Sequence, residues 1–340
     1  MNAAVLSDSV PGPDPRVRLM LGGDVMLGRL VGKAIQRFGP HYPLSGVAPL
    51  MSKADLTIVN LECAITSSTR EWHGAPKAFY FGAPPAAVHA LTDAGVDLVS
   101  LANNHALDYD VEGLLDTMKY LRARGIGWAG AGNSIDEARA PVFAERNGLR
   151  FGMAALCDHQ VDFAAGVRRP GTTYVDLDDE PAALALMRKL LEPIQQAKAD
   201  WPILSLHWGP NMVSEPSRKF RRIAHAAIDM GWRILFGHSA HVFHGIELYR
   251  GCPIVYAAGD LVDDYYIDPE FRNDHQLLFE LELGRAALRR IGLHPVLIAD
   301  CQARLAGGAH FGYIAKRMTG LCAEMGTRVR TDGGKLWIEP

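Results

Sequence analysis

Apolar runs of strand length alternate along the chain with stretches whose apolar residues recur at helical spacing. Because a strand that is apolar on both faces must be covered on both faces, this pattern predicts strands joined by crossover helices. The predicted strands are residues 17–23, 55–62, 96–102, 201–208, 232–236 and 253–258. The predicted helices are residues 26–38, 85–94, 111–124, 181–199 and 216–230.

Antiparallel hairpins interrupt this alternation. Two apolar stretches, 142–146 and 149–156, flank the dipeptide Asn147-Gly148, which is typical of a type I′ turn. Two further hairpins are predicted at 277–293 and 327–340. Their presence favours a mixed sheet, or two stacked sheets with outer helices, over a purely parallel sheet.

The length and composition predict one large domain. The chain has 340 residues, of which 48% are hydrophobic, and this is enough to bury a large core. We expect residues 1–16, rich in Pro, Ser and Asp, to be flexible, residues 17–300 to form the domain, and residues 301–340 to add a helix and a hairpin packed on it. The longest stretches without predicted structure, 63–84 and 158–179, are long enough to be functional loops.

Charge and targeting signals exclude several classes of partner. The net charge is −3, with acids and bases interspersed, so neither nucleic acid nor a membrane surface is an expected partner. The first residues lack the basic and apolar regions of a signal peptide, and no run is apolar enough to span a bilayer. The five cysteines are scattered without a CxxC pair, which is typical of reduced thiols. The expected location is the cytoplasm.

Polar residues gather where the predicted strands end. Loops beyond the carboxyl ends of strands form the ligand crevice of α/β sheets, so these side chains are expected to meet. Carboxylates, a carboxamide and imidazoles together form an oxygen and nitrogen donor set suited to Zn²⁺, Mn²⁺ or Fe. The residues at these ends are Asp24, Asn60, Glu62, Asn103, Asn104, His105, His207, His238, His241 and His244.

Several of these residues have simpler explanations when each is taken alone. Asp24 has the chemistry of a helix cap for the predicted helix 26–38. Glu62 can pair with a surface lysine, although a glutamate that ends an apolar strand is costly to bury unpaired. Asn103 and Asn104 are typical turn residues, and a lone His207 in an apolar strand is more often a satisfied core histidine. Their recurrence at the same end of several strands favours a shared site.

The motifs GGDVMLGR, NLE, NNHALDY, LHWG and GHSAHV, in this order, resemble the CapA/PgsA family, which is linked to poly-γ-glutamate capsule synthesis. That family resembles a branch of the calcineurin-like metallophosphoesterase superfamily. The resemblance covers about residues 18–264 and implies a catalytic domain with two stacked mixed β-sheets flanked by helices, a metallophosphoesterase-like αββα sandwich. It also implies one or two divalent metal ions, of which Mn, Zn and Fe fit the donors best.

The resemblance assigns roles to individual residues. The implied metal ligands are Asp24, Glu62, Asn104, His207, His238 and His241, with Glu62 at the position that bridges two metals. His105 is implied as the catalytic acid, and Asp108 is either the residue that orients its ring or a cap for the helix from residue 111. Asp24 and His105 together are a possible acid and base pair for chemistry at a Cα atom.

This chain also departs from the superfamily pattern. Met26 stands where the first motif usually has a metal-binding histidine, and Ser239 stands where a further histidine is expected. Asp260 stands where the family branch commonly has asparagine. These changes leave open whether one ion or two are bound.

The expected substrate is a small molecule or a peptide. Arg29 is a candidate to bind a phosphate or carboxylate, or simply a solvated helix residue. Trp72, in the aromatic-rich loop 72–81, is a candidate wall for a bulky substrate, or part of a small cluster beneath the loop. The main functional hypothesis is a metal-dependent hydrolase of a phosphoester or of a peptide or γ-glutamyl amide. The alternatives are a metal-dependent peptide Cα epimerase acting on a ribosomal peptide and a non-catalytic component of capsule biosynthesis.

Overall fold

The computed structural model describes residues 14–340, so most of the segment expected to be flexible, 1–16, lies outside the described residues. The strands are β1 (Val17–Val25), β2 (Leu56–Leu61), β3 (Ala64–Ile65), β4 (Gly82–Ala83), β5 (Leu98–Ser100), β6 (Gly127–Ala129), β7 (Ala131–Gly132), β8 (Val142–Arg146), β9 (Leu149–Cys157), β10 (Gly171–Thr172), β11 (Trp201–His207), β12 (Ile234–His238), β13 (Ile246–Tyr249), β14 (Cys252–Val255), β15 (Asp260–Val262), β16 (His275–Leu283), β17 (Leu288–Ala299), β18 (Gln302–Leu305), β19 (Val329–Asp332) and β20 (Lys335–Ile338).

The helices are α1 (Arg29–Phe38), α2 (Ala48–Met51), α3 (Val88–Asp93), α4 (Asp110–Ala123), α5 (Ile135–Arg139), α6 (Glu180–Gln196), α7 (Arg218–Met230) and α8 (Gly308–Glu324). Single 3₁₀ turns lie at Tyr42–Leu44, Pro85–Ala87 and Val161–Phe163. Among the described residues, no helix is both long enough and apolar enough to cross a bilayer.

The strands form two large mixed sheets. The larger sheet has the order β19-β20-β17-β16-β1-β2-β5-β6, with β15 also paired to β1 and β18 to β17. The smaller sheet has the order β13-β14-β12-β11-β9-β8. In the larger sheet β1 runs parallel to β2 and antiparallel to β16. In the smaller sheet β11 runs parallel to both of its neighbours, while β8 and β9 form the predicted antiparallel hairpin.

The two sheets are stacked between layers of helices. Successive side chains of a strand face opposite sides, and β1 illustrates the result: Leu19 and Leu21 join the core between the sheets, whereas Met20 joins the core beneath α1, α3 and α4. On the far side, Leu204 of β11 packs with Ile223 of α7 in a third core. The predicted αββα sandwich is therefore confirmed.

Several predicted boundaries are wrong for tertiary reasons. Helix α1 begins at Arg29 and not at residue 26, because Val25 still pairs with Val262 and the Met26 amide donates to the Val262 carbonyl. Asp24 therefore lies inside a strand and does not cap this helix. Helix α4 has Tyr109 as its N-cap residue, so Asp108 does not cap it either. The long loops 63–84 and 158–179 contain the short strands β3, β4 and β10.

Candidate metal centre

The larger sheet brings three acidic side chains together at the carboxyl end of β1. Asp24 is paired in register with Asn60 of β2 on one side and with Asp260 of β15 on the other. Glu62 follows β2, and its amide donates to the Val25 carbonyl. The approach of β15 depends on a glycine, because a Cβ atom on Gly23 would lie 1.8 Å from the Gly259 carbonyl oxygen.

The smaller sheet contributes the histidines. Strands β11 and β12 are parallel and end in register, so that His207 lies opposite His238. The chain then turns sharply, with positive φ angles of 101° at Ser239 and 59° at His241. Non-glycine residues rarely adopt these angles, and such strained positions cluster at functional sites. The turn lets the Ser239 amide donate to Asp24 Oδ2 at 3.1 Å.

The donor atoms from the two sheets form two overlapping groups, one of Asp24, His207 and His238 and another of Asp24, Glu62, His241 and Asp260. Within each group all donor atoms lie within 4.8 Å of one another. Ligands that face each other across an ion with bonds of about 2.0–2.2 Å are roughly 4 Å apart, so the spacing fits a transition-metal ion. Glu62 Oε2, Asn104 Oδ1 and Asp260 Oδ2 are also buried without hydrogen-bond partners. Because buried polar atoms are normally paired, these three oxygens support the same fit.

Asp24 occupies the shared position of the two groups. Its Oδ1 accepts a hydrogen bond of 2.8 Å from Asn60 and lies 3.7 Å from His238 Nδ1. Its Oδ2 lies 3.8 Å from His241 Nδ1. The resemblance implied Glu62 as the bridging ligand, but Glu62 belongs to only one of the two groups. Its Oε1 is 3.7 Å from His207 Nε2, so it still faces the other group.

The histidine rings are fixed by neighbouring groups. His207 Nδ1 and His238 Nδ1 are 2.8 Å apart, and Ser205 Oγ lies 2.8 Å from His238 Nε2. His241 Nδ1 lies 3.0 Å from Asp260 Oδ1. Two imidazole nitrogens in such close contact share one proton or face a common cation. His207 is therefore buried in contact with a second imidazole and, through Nε2, 3.7 Å from the Glu62 carboxylate.

The catalytic histidine predicted from sequence lies beside these groups. His105 Nε2 is 3.9 Å from Glu62 Oε1, and His105 Nδ1 is 2.5 Å from Asp108 Oδ2. Asp108 therefore contacts the ring in the way expected of an orienting residue. Asn103 makes a hydrogen bond typical of a turn residue, because its Oδ1 accepts from the His105 amide at 3.1 Å.

Burial shifts the pKa values of the acids and of the histidines at the site in opposite directions. Burial, together with the neighbouring charge of Asp260, raises the pKa of Asp24 to about 7. Burial likewise raises the pKa of Asp260 to about 8 and that of Glu62 well above its usual value. Burial has the opposite effect on the bases and lowers the pKa of His238 to about 3. Opposed shifts of this kind are typical of functional sites.

A cleft of about 550 Å³ opens onto these groups. Its lining is Arg29, Phe79, Phe81, Asn104, His105, Asn211, Met212, His241, Tyr265, Tyr266, Asp268 and Asn273. Arg29 Nε lies 3.4 Å from Asp264 Oδ1, and the guanidinium stands 5.1 Å from the Phe79 ring centroid. The lining therefore combines four Phe and Tyr rings with amide and imidazole side chains, and its one arginine already has an acidic partner.

The structure does not bring every predicted residue to the cleft. Trp72 packs edge-on against Phe163 at 4.9 Å between ring centroids, at the margin of the core beneath α1, α3 and α4, and lies outside the cleft lining. Met26 is fully buried and its sulfur lies 3.1 Å from the Gly28 amide nitrogen. His244 contacts the Val213 carbonyl at 2.8 Å, away from the donor groups.

The sequence analysis assigned no role at this site to Asn60, Asp260 or Lys77. Asn60 lies between Asp24 and His207, with its Nδ2 3.4 Å from His207 Nδ1. Asp260 is a full member of one donor group, and its Gly-Asp dipeptide after an apolar run repeats the pattern around Asp24. Lys77 contacts Asp108, and nothing in the pattern of its loop indicated this contact.

Comparison with known proteins identifies relatives. The family model described as bacterial capsule synthesis protein PGA_cap matches residues 18–265. The capsule biosynthesis protein CapA of Bacillus anthracis is 28% identical over 251 residues, which are 73% of this chain and 60% of that protein. A probable polyglutamine synthesis accessory protein of Mycobacterium tuberculosis (strain ATCC 25618 / H37Rv) is 29% identical over 364 residues, with 93% of each chain covered.

A solved structure, that of a 5′-nucleotidase precursor from Thermus thermophilus, superimposes with a TM-score of 0.45 at 10% identity, over 91% of this chain and 59% of that one. A likeness of this extent carries no argument about function. The chain also spans only 60% of the length of the Bacillus anthracis protein.

Proposed function

Since the chain belongs to the bacterial capsule synthesis protein PGA_cap family, we propose that it is a metal-dependent hydrolase that cleaves an amide bond in a peptide or γ-glutamyl substrate. The main support for the proposal is that Asp24 belongs to both donor groups. These groups lie beside a cleft that His105 and His241 line. In this proposal the ligands are Asp24, Glu62, Asn104, His207, His238 and His241, joined by Asp260. These residues would hold a divalent ion, which would supply polarisation of a carbonyl or phosphoryl oxygen and acidification of water.

The side chains of the protein supply the remaining chemistry. In this proposal the His105 Nδ1–H group donates a hydrogen bond to Asp108 Oδ2. The neutral ring then carries no proton on Nε2. Burial lowers the pKa of His105 to about 4 and so favours that neutral form. His105 Nε2 can then accept a proton from the attacking water and return it to the departing amine, as a general base and then a general acid.

The lining of the cleft favours an amide over a phosphoester. A phosphate group is usually bound by several basic side chains or backbone amides, whereas Arg29 is the one lysine or arginine in this lining and already contacts Asp264. Phe79, Phe81 and Tyr265 suit the apolar parts of a peptide. A phosphoester remains the second substrate class within the same proposal.

The test is a paired assay of protein reconstituted with Mn²⁺, Zn²⁺ or Fe²⁺. A γ-glutamyl anilide, a short peptide library and an aryl phosphate are incubated with the protein and with the His105→Gln variant, in D₂O for the peptides. Amide cleavage by the wild type that His105→Gln lowers by ~10²–10⁴-fold is the expected result. Deuterium at a Cα atom without cleavage would replace the hydrolase with an isomerase. No reaction with any metal would contradict catalysis.

A further inference from the structure

Lys77 is a buried lysine next to the proposed catalytic histidine. It lies in the segment between β3 and β4, and its side chain is 8% exposed. Its ammonium group contacts Asp108 Oδ1 and the main-chain carbonyl of Asn104, and stands 4.7 Å from the centroid of the Phe163 ring. A buried ammonium is costly unless it is paired and hydrogen-bonded, so these contacts explain where the charge is held but not why a charge is there.

The contacts of Asp108 explain the charge. Its Oδ2 faces the His105 ring at 2.5 Å and accepts from the Phe81 amide at 2.6 Å, while Lys77 occupies Oδ1. Lys77 and the Phe81 amide are donors with no acceptor capacity, so each occupies one oxygen of Asp108 as an acceptor. This arrangement favours His105 Nδ1 as the donor to Oδ2, which leaves Nε2 free on the side of Glu62.

We propose that Lys77 is a positioning residue that holds Asp108 and the Asn104 backbone in place, and thereby fixes the orientation and tautomer of His105. The catalytic part of this inference rests on the proposed hydrolase function. Lys77 lies outside the cleft lining, so it does not contact substrate there. Its contacts with the Asn104 carbonyl and with Asp108 connect the segment between β3 and β4 to two residues of the loop between β5 and α4.

The first test reads the histidine directly by NMR. A proton on His105 Nδ1 in so short a hydrogen bond resonates downfield of the amide protons, and His105→Gln assigns the signal by deleting it. The protein is metal-free or zinc-loaded, because Mn²⁺ is paramagnetic. Lys77→Met keeps most of the buried stem and removes the charge. We expect it to shift or abolish this signal.

A matched control separates positioning from loop stability. Tyr80 belongs to the same loop, and its hydroxyl accepts from the Lys77 amide at 3.2 Å without touching Asp108. Tyr80→Phe is expected to leave the downfield signal and the turnover unchanged. Lys77→Arg keeps the charge and is expected to retain the signal. If Lys77→Met does not fold, Lys77→Gln, which also removes the charge, takes its place with the same expected loss of the signal.

The second test separates turnover from binding. Residues that orient catalytic or metal-binding groups through hydrogen bonds typically change activity by ~10–100-fold, and this is the fall in kcat expected for Lys77→Met, with KM within about threefold.

The outcomes distinguish this inference from the proposed function. If the wild type cleaves nothing, the hydrolase proposal fails, while the NMR comparison still decides whether Lys77 orders His105. A Lys77→Met protein that keeps the downfield signal, or whose turnover equals that of Tyr80→Phe, would overturn the positioning role.

Discussion

The edges of the two sheets that meet at the site are chemically opposite. The larger sheet contributes the carboxylates Asp24, Glu62 and Asp260, whereas the smaller sheet contributes the imidazoles of His207 and His238. Each edge alone is an unfavourable structure, because burial raises the pKa of the acids and lowers that of the histidines. Facing each other, they form mixed oxygen and nitrogen donor sets.

Neither sheet alone supplies a complete set of metal donors. Asp24 is the side chain that joins the two edges, since it contacts Asn60 in its own sheet, receives the Ser239 amide from the loop after β12 and lies near His238 and His241. Substitutions at each edge test this division of the donors between the two sheets.

Removal of the shared ligand should have the largest effect. Asp24→Ala takes one donor from both groups at once. We expect turnover to fall by more than the ~100-fold typical of residues behind the ligands, and bound metal to fall to background. Elemental analysis and the amide assay on the same preparation check this. Metal content equal to that of the wild type would show that the two edges do not share an ion through Asp24.

Removal of one histidine should damage one group and spare the other. His207→Ala is expected to weaken Mn²⁺ or Zn²⁺ binding by ~10–100-fold at the site formed with His238. His244→Ala is the matched control, because His244 lies in the same region and contacts the Val213 carbonyl instead. Titration calorimetry on both variants checks the difference, and equal losses would contradict the assignment.

The carboxylate edge should make the metal-free protein less stable as pH rises from about 6.5 to 8. Burial raises the pKa of Asp24 to about 7 and that of Asp260 to about 8, so in this window the folded carboxyls keep protons that the unfolded ones have lost. Each such group lowers the free energy of unfolding by at most about 1.4 kcal/mol per pH unit.

The histidine edge acts in the opposite direction, but only at lower pH. His207 and His238 have lowered pKa values, so they stabilise the fold as pH rises through 6.5, their unfolded value, and add little more above about pH 7.5. Denaturant titrations of chelated protein at pH 6.5, 7.25 and 8 check the fall. Asp260→Asn should make it shallower, and a saturating divalent ion should abolish it. If the loss of stability between pH 6.5 and 8 is unchanged both in Asp260→Asn and with the divalent ion, the buried carboxyls are not its cause.

The smallest effect is expected at the mouth of the cleft. Arg29 is partly exposed and paired with Asp264, so Arg29→Met should raise KM by up to about fivefold, with metal content unchanged. Trp72→Phe should change neither, because Trp72 packs on Phe163 outside the cleft. A larger effect of Trp72 than of Arg29 on KM would reverse the assignment of these two residues.

The sequence was sufficient to predict features that depend on local pattern. Apolar runs ending in polar residues predicted the strands, and parallel crossovers predicted that their ends would meet, as His207 and His238 do. The sequence was not sufficient where the contact depends on register between distant strands. The pairing of Asp24 with Asp260 requires β15 to lie beside β1, and a Gly-Asp dipeptide at each position does not specify that pairing.

The other features that the sequence did not predict lie in a loop and at the start of a helix. Residues 63–84 have no regular period, so the burial of Lys77 against Asp108 could not be predicted, and the aromatic residues of that loop gave no sign that Phe79 and Phe81, rather than Trp72, would line the cleft. The start of α1 was misplaced because the pairing of Val25 and Met26 with Val262 is a tertiary contact.

Metal analysis of protein purified without chelators, with one variant from each edge, tests the joint site most directly. The account predicts stoichiometric Mn, Zn or Fe in the wild type and a clear loss in both Glu62→Ala and His238→Ala, because each edge supplies donors that the other lacks. A wild type that stays metal-free even after reconstitution, or a variant of either edge that keeps its full metal content, would contradict it.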